Sequence, residues 1–164
     1  MGSHKRSDVP RRFFTRDEQQ TILASIQGAE SRTSGEIRLH VERDVPQKPP
    51  ADGDAYLRAR EVFGSLGMHQ TASRNGVLVY LATRSRSFAI VGDEQLHQKV
   101  GDGFWDEVAA AMTSHFGNDD FGNGIGAGIR LIGEKLREHF PWQQDDVNEL
   151  DDEISFGDDD RPSG

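Results

Sequence analysis

The sequence predicts an α/β fold, a three-layer α/β/α sandwich built on a small mixed β-sheet. Three observations predict it. Helical and strand periodicities alternate along the chain, one internal strand reads as apolar on both faces, and the connection after it is short enough to force a hairpin. The 164 residues suit a single domain with a core large enough to need no staple. The absence of cysteine excludes a disulfide scaffold, a thiolate zinc site, an iron–sulfur cluster and a cysteine nucleophile.

Thr15-Arg16-Asp17-Glu18 is a capping-box signature, and Ile22, Leu23, Ile26 and Ala29 behind it recur at helical spacing. This first helix ends near Ser31. From Glu36 to Glu42 polar and apolar residues alternate strictly, which is strand periodicity; His40 falls on the polar phase and is expected to face solvent. Three prolines and a glycine make a loop of Val45 to Asp54. Asp52 or Asp54 then caps a helix whose apolar face holds Ala55, Ala59, Val62, Phe63 and Leu66. Asn75-Gly76 leads into the continuous apolar run Val77–Ala82, a strand buried on both sides. A turn over Thr83–Ser87 returns the chain as Phe88–Val91. Two helices follow, one marked by Phe104, Trp105, Val108, Met112 and Phe116. The other is marked by Phe121, Ile125, Ile129, Ile132, Leu136 and Phe140, with Asp119 or Asp120 as its cap and Pro141 as its stop.

Three segments result. Residues 1–12 are expected to be disordered or vector-derived, 13–142 form the domain, and 143–164 form an acidic tail. Of the net charge of −9, the stretch from Asp145 onward carries nine carboxylates and one arginine. The domain itself is close to neutral, so no nucleic-acid face is expected. Val147, Leu150, Ile154 and Phe156 interrupt the tail, so it reads either as a solvated acidic segment or as one with a short docked piece. No run approaches the ~20 apolar residues of a membrane span, and no secretory h-region is present; a cytoplasmic location without direct membrane insertion is expected.

A parallel strand pair followed by a hairpin brings three loops to one edge of the sheet. These are Thr33-Ser34-Gly35-Glu36, Ser73-Arg74-Asn75-Gly76 and Gly92-Asp93, with Asp102 and Asp106 close behind. Carboxylate, amide and backbone oxygens together suit a hard cation, Ca²⁺ or Mg²⁺. The ordinary alternative is that Asp93 and Asp102 cap helices, Asn75-Gly76 makes a turn and Glu36 is solvated. Other motifs carry less. The glycines at 122, 124, 126, 128 and 133 fit close packing of a helix better than a dinucleotide loop, since no strand precedes them. The six histidines show no ligand spacing, and Ser34 and Ser73 have no base beside them.

These segments resemble the TPM domain family. The residues that carry the resemblance are Thr33–Ile37, Arg74–Leu78, Phe88–Asp93, Val100–Trp105 and Asp119-Asp120-Phe121. The end, Asp146–Leu150 with Glu153-Ile154, resembles the shorter soluble bacterial branch. The resemblance implies an α/β/α sandwich and divalent-cation binding, Ca²⁺ in several members, in an acidic depression. Carried over residue by residue, the cation candidates are Glu36, Asn75, Asp93 and Asp102, with Asp119 and Asp120 added. Phosphatase activity is attributed to some members. Secreted and membrane-anchored members often carry an acid before the Asn-Gly, where this chain has Arg74.

Three functions follow. The first is a cation-binding domain of unknown physiological ligand. The second is a metal-assisted phosphatase, with Asp93 and Asp102 as ligands, Glu36 as base and Arg74 as a phosphate clamp. The third is an interaction module that works through the acidic tail and a protein or membrane-associated partner.

Overall fold

The computed structural model describes residues 6–71, 74–142 and 154–157. Ser73 and most of the acidic tail lie outside them. The helices are α1 (Pro10–Phe13), α2 (Arg16–Glu30), α3 (Ala55–Ser65), α4 (Glu94–Val100), α5 (Asp102–Phe116) and α6 (Phe121–His139). The strands are β1 (Glu36–Glu42), β2 (Gly76–Ala82), β3 (Ser87–Gly92) and β4 (Ile154–Phe156), in the spatial order β3-β2-β1-β4. β1 runs parallel to β2 and to β4, and β2 and β3 form the antiparallel hairpin.

Alternation along the strands sorts the core into two layers. Ile37, Leu39 and Val41 join Val77, Val79 and Leu81 under α2, α5 and α6. Leu78, Tyr80, Ala82, Ala89 and Val91 meet Ala59, Val62 and Phe63 of α3 on the other face. The three-layer α/β/α arrangement is therefore present. The tightest helix contacts rest on glycine: a Cβ on Gly133 would lie 2.6 Å from the Ala29 Cβ, so α2 and α6 pack with almost nothing between them.

Three features differ from the sequence reading, and a fourth decides between the two readings of the tail. The polar phase of β1 does not face solvent; Glu36, Arg38, His40 and Glu42 are all buried, Glu42 against Arg58 of α3 and His40 against Ser155 of β4. Within the segment expected to be disordered or vector-derived, Arg6 packs on the domain: its guanidinium pairs with Glu18 (2.6 Å) and lies over the Phe13 and Phe121 rings. The stretch after β3 holds an extra helix, α4, which Gly101 separates from α5 with φ +76°. Part of the tail docks: Ile154–Phe156 pairs with Leu39–Val41, and Ser155 Oγ lies 2.7 Å from His40 Nδ1.

The caps show which acid each helix uses. Thr15 and Glu18 form the complete capping box of α2. Asp54, not Asp52, caps α3 by accepting from Leu57 N at 3.0 Å. Asp120 stands at the α6 N-cap without a side-chain cap bond and turns its carboxylate to Asn123 instead (3.1 Å).

Candidate functional site

The parallel register puts Glu36 beside Gly76, and the antiparallel register puts Val77 beside Gly92. Asp93 N then donates to Gly76 O at 2.9 Å. The three loops expected at one edge are therefore at one edge. Asp93 is the pivot. It leaves the edge strand as the N-cap of α4, its Oδ1 accepting from Glu94 N at 2.6 Å.

A cleft of about 800 Å³ opens beside this corner, between α3, the edge strand β3 and the α4–α5 turn. Arg60 and Phe63 of α3, with His69, line one wall; Glu94, His97, Asp102, Trp105 and Asp106 line the other. Gly92 lets Trp105 lie flat against the strand, since a Cβ there would meet the indole at 2.5 Å. Trp105 Nε1 donates to His97 Nδ1 at 3.0 Å. Because the indole can only donate, the neutral imidazole carries its proton on Nε2, which sits 3.4 Å from Asp102 Oδ1.

Arg74 and Asp93 form the charged centre. The Arg74 backbone is left-handed (φ +51°), which turns its side chain toward β3. Its Nε lies 3.2 and 3.3 Å from the two Asp93 oxygens. The Asp93 side chain is 2% exposed and the Arg74 side chain 43% exposed. Asp93 is thus a buried carboxylate whose counter-charge reaches it from the cleft.

The seven sequence candidates divide. Arg74, Asp93 and Asp102 line the cleft. Asn75 is buried one strand inward and Glu36 two, and Asn75 Nδ2 donates to Ser34 Oγ at 3.3 Å. Asp119 and Asp120 are elsewhere. Phe116 and Phe121 stack on each other, and Phe116 packs against Phe88 at the far end of β3. That end is about 16 Å from Asp93 along the strand. Asp119 pairs with Arg6 and Asp120 with His115, each at its own helix end. The hydrogen bond from Asn123, aided by His115, holds the Asp120 carboxyl below its usual range. The six expected ligands therefore do not form one set, because α6 carries its N-terminus to the opposite end of the sheet.

Among the described residues no group of three or more His, Cys, Asp or Glu is arranged to hold a metal ion. The donor chemistry at Asp93 nonetheless suits a cation: a buried carboxylate with Glu94, Asp102 and Asp106 around the same opening, already holding one positive group, the Arg74 guanidinium. Local periodicity offers no sign of Arg60 and His69 in this wall, since the way α3 and the turn after it lie against the sheet is set by packing.

An α/β sandwich with a polar cleft at the switch from β3 to α4 defines the class, and sequence comparison gives the family. Residues 9–135 match the TPM domain, and the chain belongs to that family. The chain is similar to the BA42 protein of the psychrophilic bacterium Bizionia argentinensis, with 39% identity, 88% of this chain and 96% of that one covered, and a TM-score of 0.79. It shares the fold of the N-terminal domain of a P. gingivalis protein, at 14% identity over 77% of this chain and 78% of that one, with a TM-score of 0.61. The N-terminal domain of the cg2496 protein of Corynebacterium glutamicum is similar at 14% identity over 75% of this chain and 74% of that one, with a TM-score of 0.56. Comparison with curated proteins gave no match. No helix among the described residues is long and apolar enough to cross a membrane.

Proposed function

We propose that this TPM domain binds a divalent cation, Ca²⁺ or Mg²⁺, in the cleft beside Asp93. The observation that carries the reading is the company Asp93 keeps. Arg60 and Arg74 face Asp93, Glu94, Asp102 and Asp106 in one opening, a net charge of −2 with the histidines counted as neutral. Such a mouth attracts cations and opposes the dianion of a phosphomonoester. Asp93 would be the anchoring ligand and Asp102, with 91% of its side chain exposed, a mobile outer one. When bound, the ion supplies positive charge that can hold a further anionic ligand. Few protein oxygens and several waters make for weak binding, on the order of 10⁻⁴ to 10⁻³ M. Neither hydrolysis nor recruitment through the tail gains a comparable observation.

The test is a titration of metal-stripped protein with Ca²⁺ and Mg²⁺, followed by amide NMR shifts and the thermal midpoint. The expected result is saturable shifts at Asp93, Glu94 and Asp102 with a rising midpoint. Shifts confined to the chain beyond Asp145, or none at millimolar cation, would overturn the reading.

A further inference from the structure

We infer that Arg74 is a built-in counter-ion that competes with the external cation for Asp93, so that this residue sets how much cation the domain needs. The inference rests on the cation reading above and adds the device that controls it.

The geometry separates the two partners. Asp93 is fixed: its side chain is 2% exposed, one oxygen accepts from Glu94 N, and its backbone N–H is tied to Gly76. A carboxylate so buried needs a positive partner. Arg74 is the movable member. Its side chain is 43% exposed and reaches Asp93 with Nε alone, so both terminal nitrogens are left out of the pair. A bidentate fork, the strong form of this interaction, is not made. The cleft opens on the same side as Arg74, so the guanidinium can move to solvent without unpacking the fold. A cation that takes Asp93 must displace it. The apparent affinity is then lowered by the fraction of time Arg74 holds the site.

The consequence is a swap of dependence. With Arg74 present, Asp93 is neutralised with or without metal, and Ca²⁺ raises the midpoint only modestly. Without it, the buried carboxylate relies on the external ion.

The decisive comparison uses Arg74→Asn, since Asn tolerates the left-handed backbone at this position while removing the charge. Arg84→Asn is the control: it makes the same change of net charge in an exposed pair with Asp44, outside the cleft. The readouts are the thermal midpoint in chelator and in Ca²⁺, and the Ca²⁺ affinity from amide shifts. Arg74→Asn should melt below the native chain in chelator, recover most of that loss in millimolar Ca²⁺, and bind Ca²⁺ roughly tenfold more tightly, the scale set by a half-exposed ion pair. Arg84→Asn should do none of these. Equal affinities for the native chain and Arg74→Asn would overturn the inference and leave the cation reading standing. No saturable response in either would overturn both.

Should Arg74→Asn fail to fold, the native chain still decides. The Arg74 Nε–H resonance should shift with the same midpoint as the Asp93 amide during the titration. An unmoved Nε–H while Asp93 saturates would overturn the inference.

Discussion

Two buried carboxylates, each partnered by an arginine, show how differently one motif can be built. Glu42, at the C-terminal end of β1, has a side chain 4% exposed; Asp93 has one 2% exposed. Around Glu42 the site is closed. Arg58 of α3 makes a fork, Nε to Oε2 at 2.8 Å and Nη2 to Oε1 at 3.0 Å, and the Tyr80 hydroxyl donates from β2. His40 Nε2 stands 3.8 Å away. Burial alone would raise the Glu42 carboxyl; the nearby His40 ring and the hydrogen bonds from Arg58 and Tyr80 outweigh it and hold the group at about 2. Burial and the neighbouring Glu42 push the Tyr80 hydroxyl well up. Asp93 has one guanidinium nitrogen, one backbone N–H and an open cleft. Equal burial does not make equal commitment: what counts is how many donors would have to leave for another partner to enter.

Breaking the closed cluster should cost most. Arg58→Met leaves Glu42 buried with its strongest partner gone, and should destabilise the fold by about 3 kcal/mol in urea unfolding. Ca²⁺ should restore none of it, because three walls still enclose the carboxylate. Recovery with Ca²⁺ would show that the two sites are not different in kind.

Acid tests the same cluster without mutation. The folded value of Glu42, about 2, lies below the ordinary 4.5. Its contribution is therefore fully present above pH 4.5 and is lost as the pH falls toward 2. The native chain should lose stability through that window, on the order of a few kcal/mol. Glu42→Gln should be less stable at neutral pH and show a flatter curve between pH 4.5 and 2. Parallel curves for the two proteins would remove Glu42 from the account.

Much of this was readable from residues alone. The strict alternation of Glu36–Glu42 gave β1 its limits, and the apolar run with its short turn gave the β2–β3 hairpin. Strand directions then brought Glu36, Asn75 and Asp93 to one edge. Burial of the polar phase of β1 was not readable, because it depends on partners far along the chain: Arg58, sixteen residues on, against Glu42, and Ser155 against His40. The separation of Asp119 and Asp120 from Asp93 follows from the direction of α6, whose 19 residues span about 28 Å. Nothing local in Asp119-Asp120-Phe121 encodes that distance. Docking of Ile154–Phe156 was one of two open readings, since an acidic composition hides three residues of strand.

Within the cleft, Asp93 and Asp102 should separate anchoring from outer contact. Asp93→Asn keeps a side chain able to cap α4 but loses the ion pair, and should cost about 1 kcal/mol with the cation response abolished. Asp102→Asn removes a charge that is 91% exposed. Stability should stay within about 0.5 kcal/mol of the native chain, while Ca²⁺ binding weakens a few-fold without disappearing. If Asp102→Asn abolished binding as fully as Asp93→Asn, the ion would sit at the mouth and not at the buried acid.

The smallest effect belongs to Asp119. Its carboxylate is 63% exposed and meets only the Nε of Arg6, while both terminal nitrogens of that guanidinium are held by Glu18 at 2.6 and 3.1 Å. Asp119 O also accepts from Arg6, at 2.9 Å, and a side-chain change leaves that bond in place. Arg6 is thus positioned twice over without the Asp119 carboxylate. Asp119→Asn should change stability by less than about 0.5 kcal/mol. It should also leave Ca²⁺ titration of the Asp93 amide untouched, because Asp119 pairs with Arg6 and Asp93 with Arg74, and no charged partner is shared among the described residues. A changed cation response in Asp119→Asn would mean that the far end of the sheet senses the cleft, a coupling for which the Phe88–Phe116–Phe121 ring contacts offer one packed path.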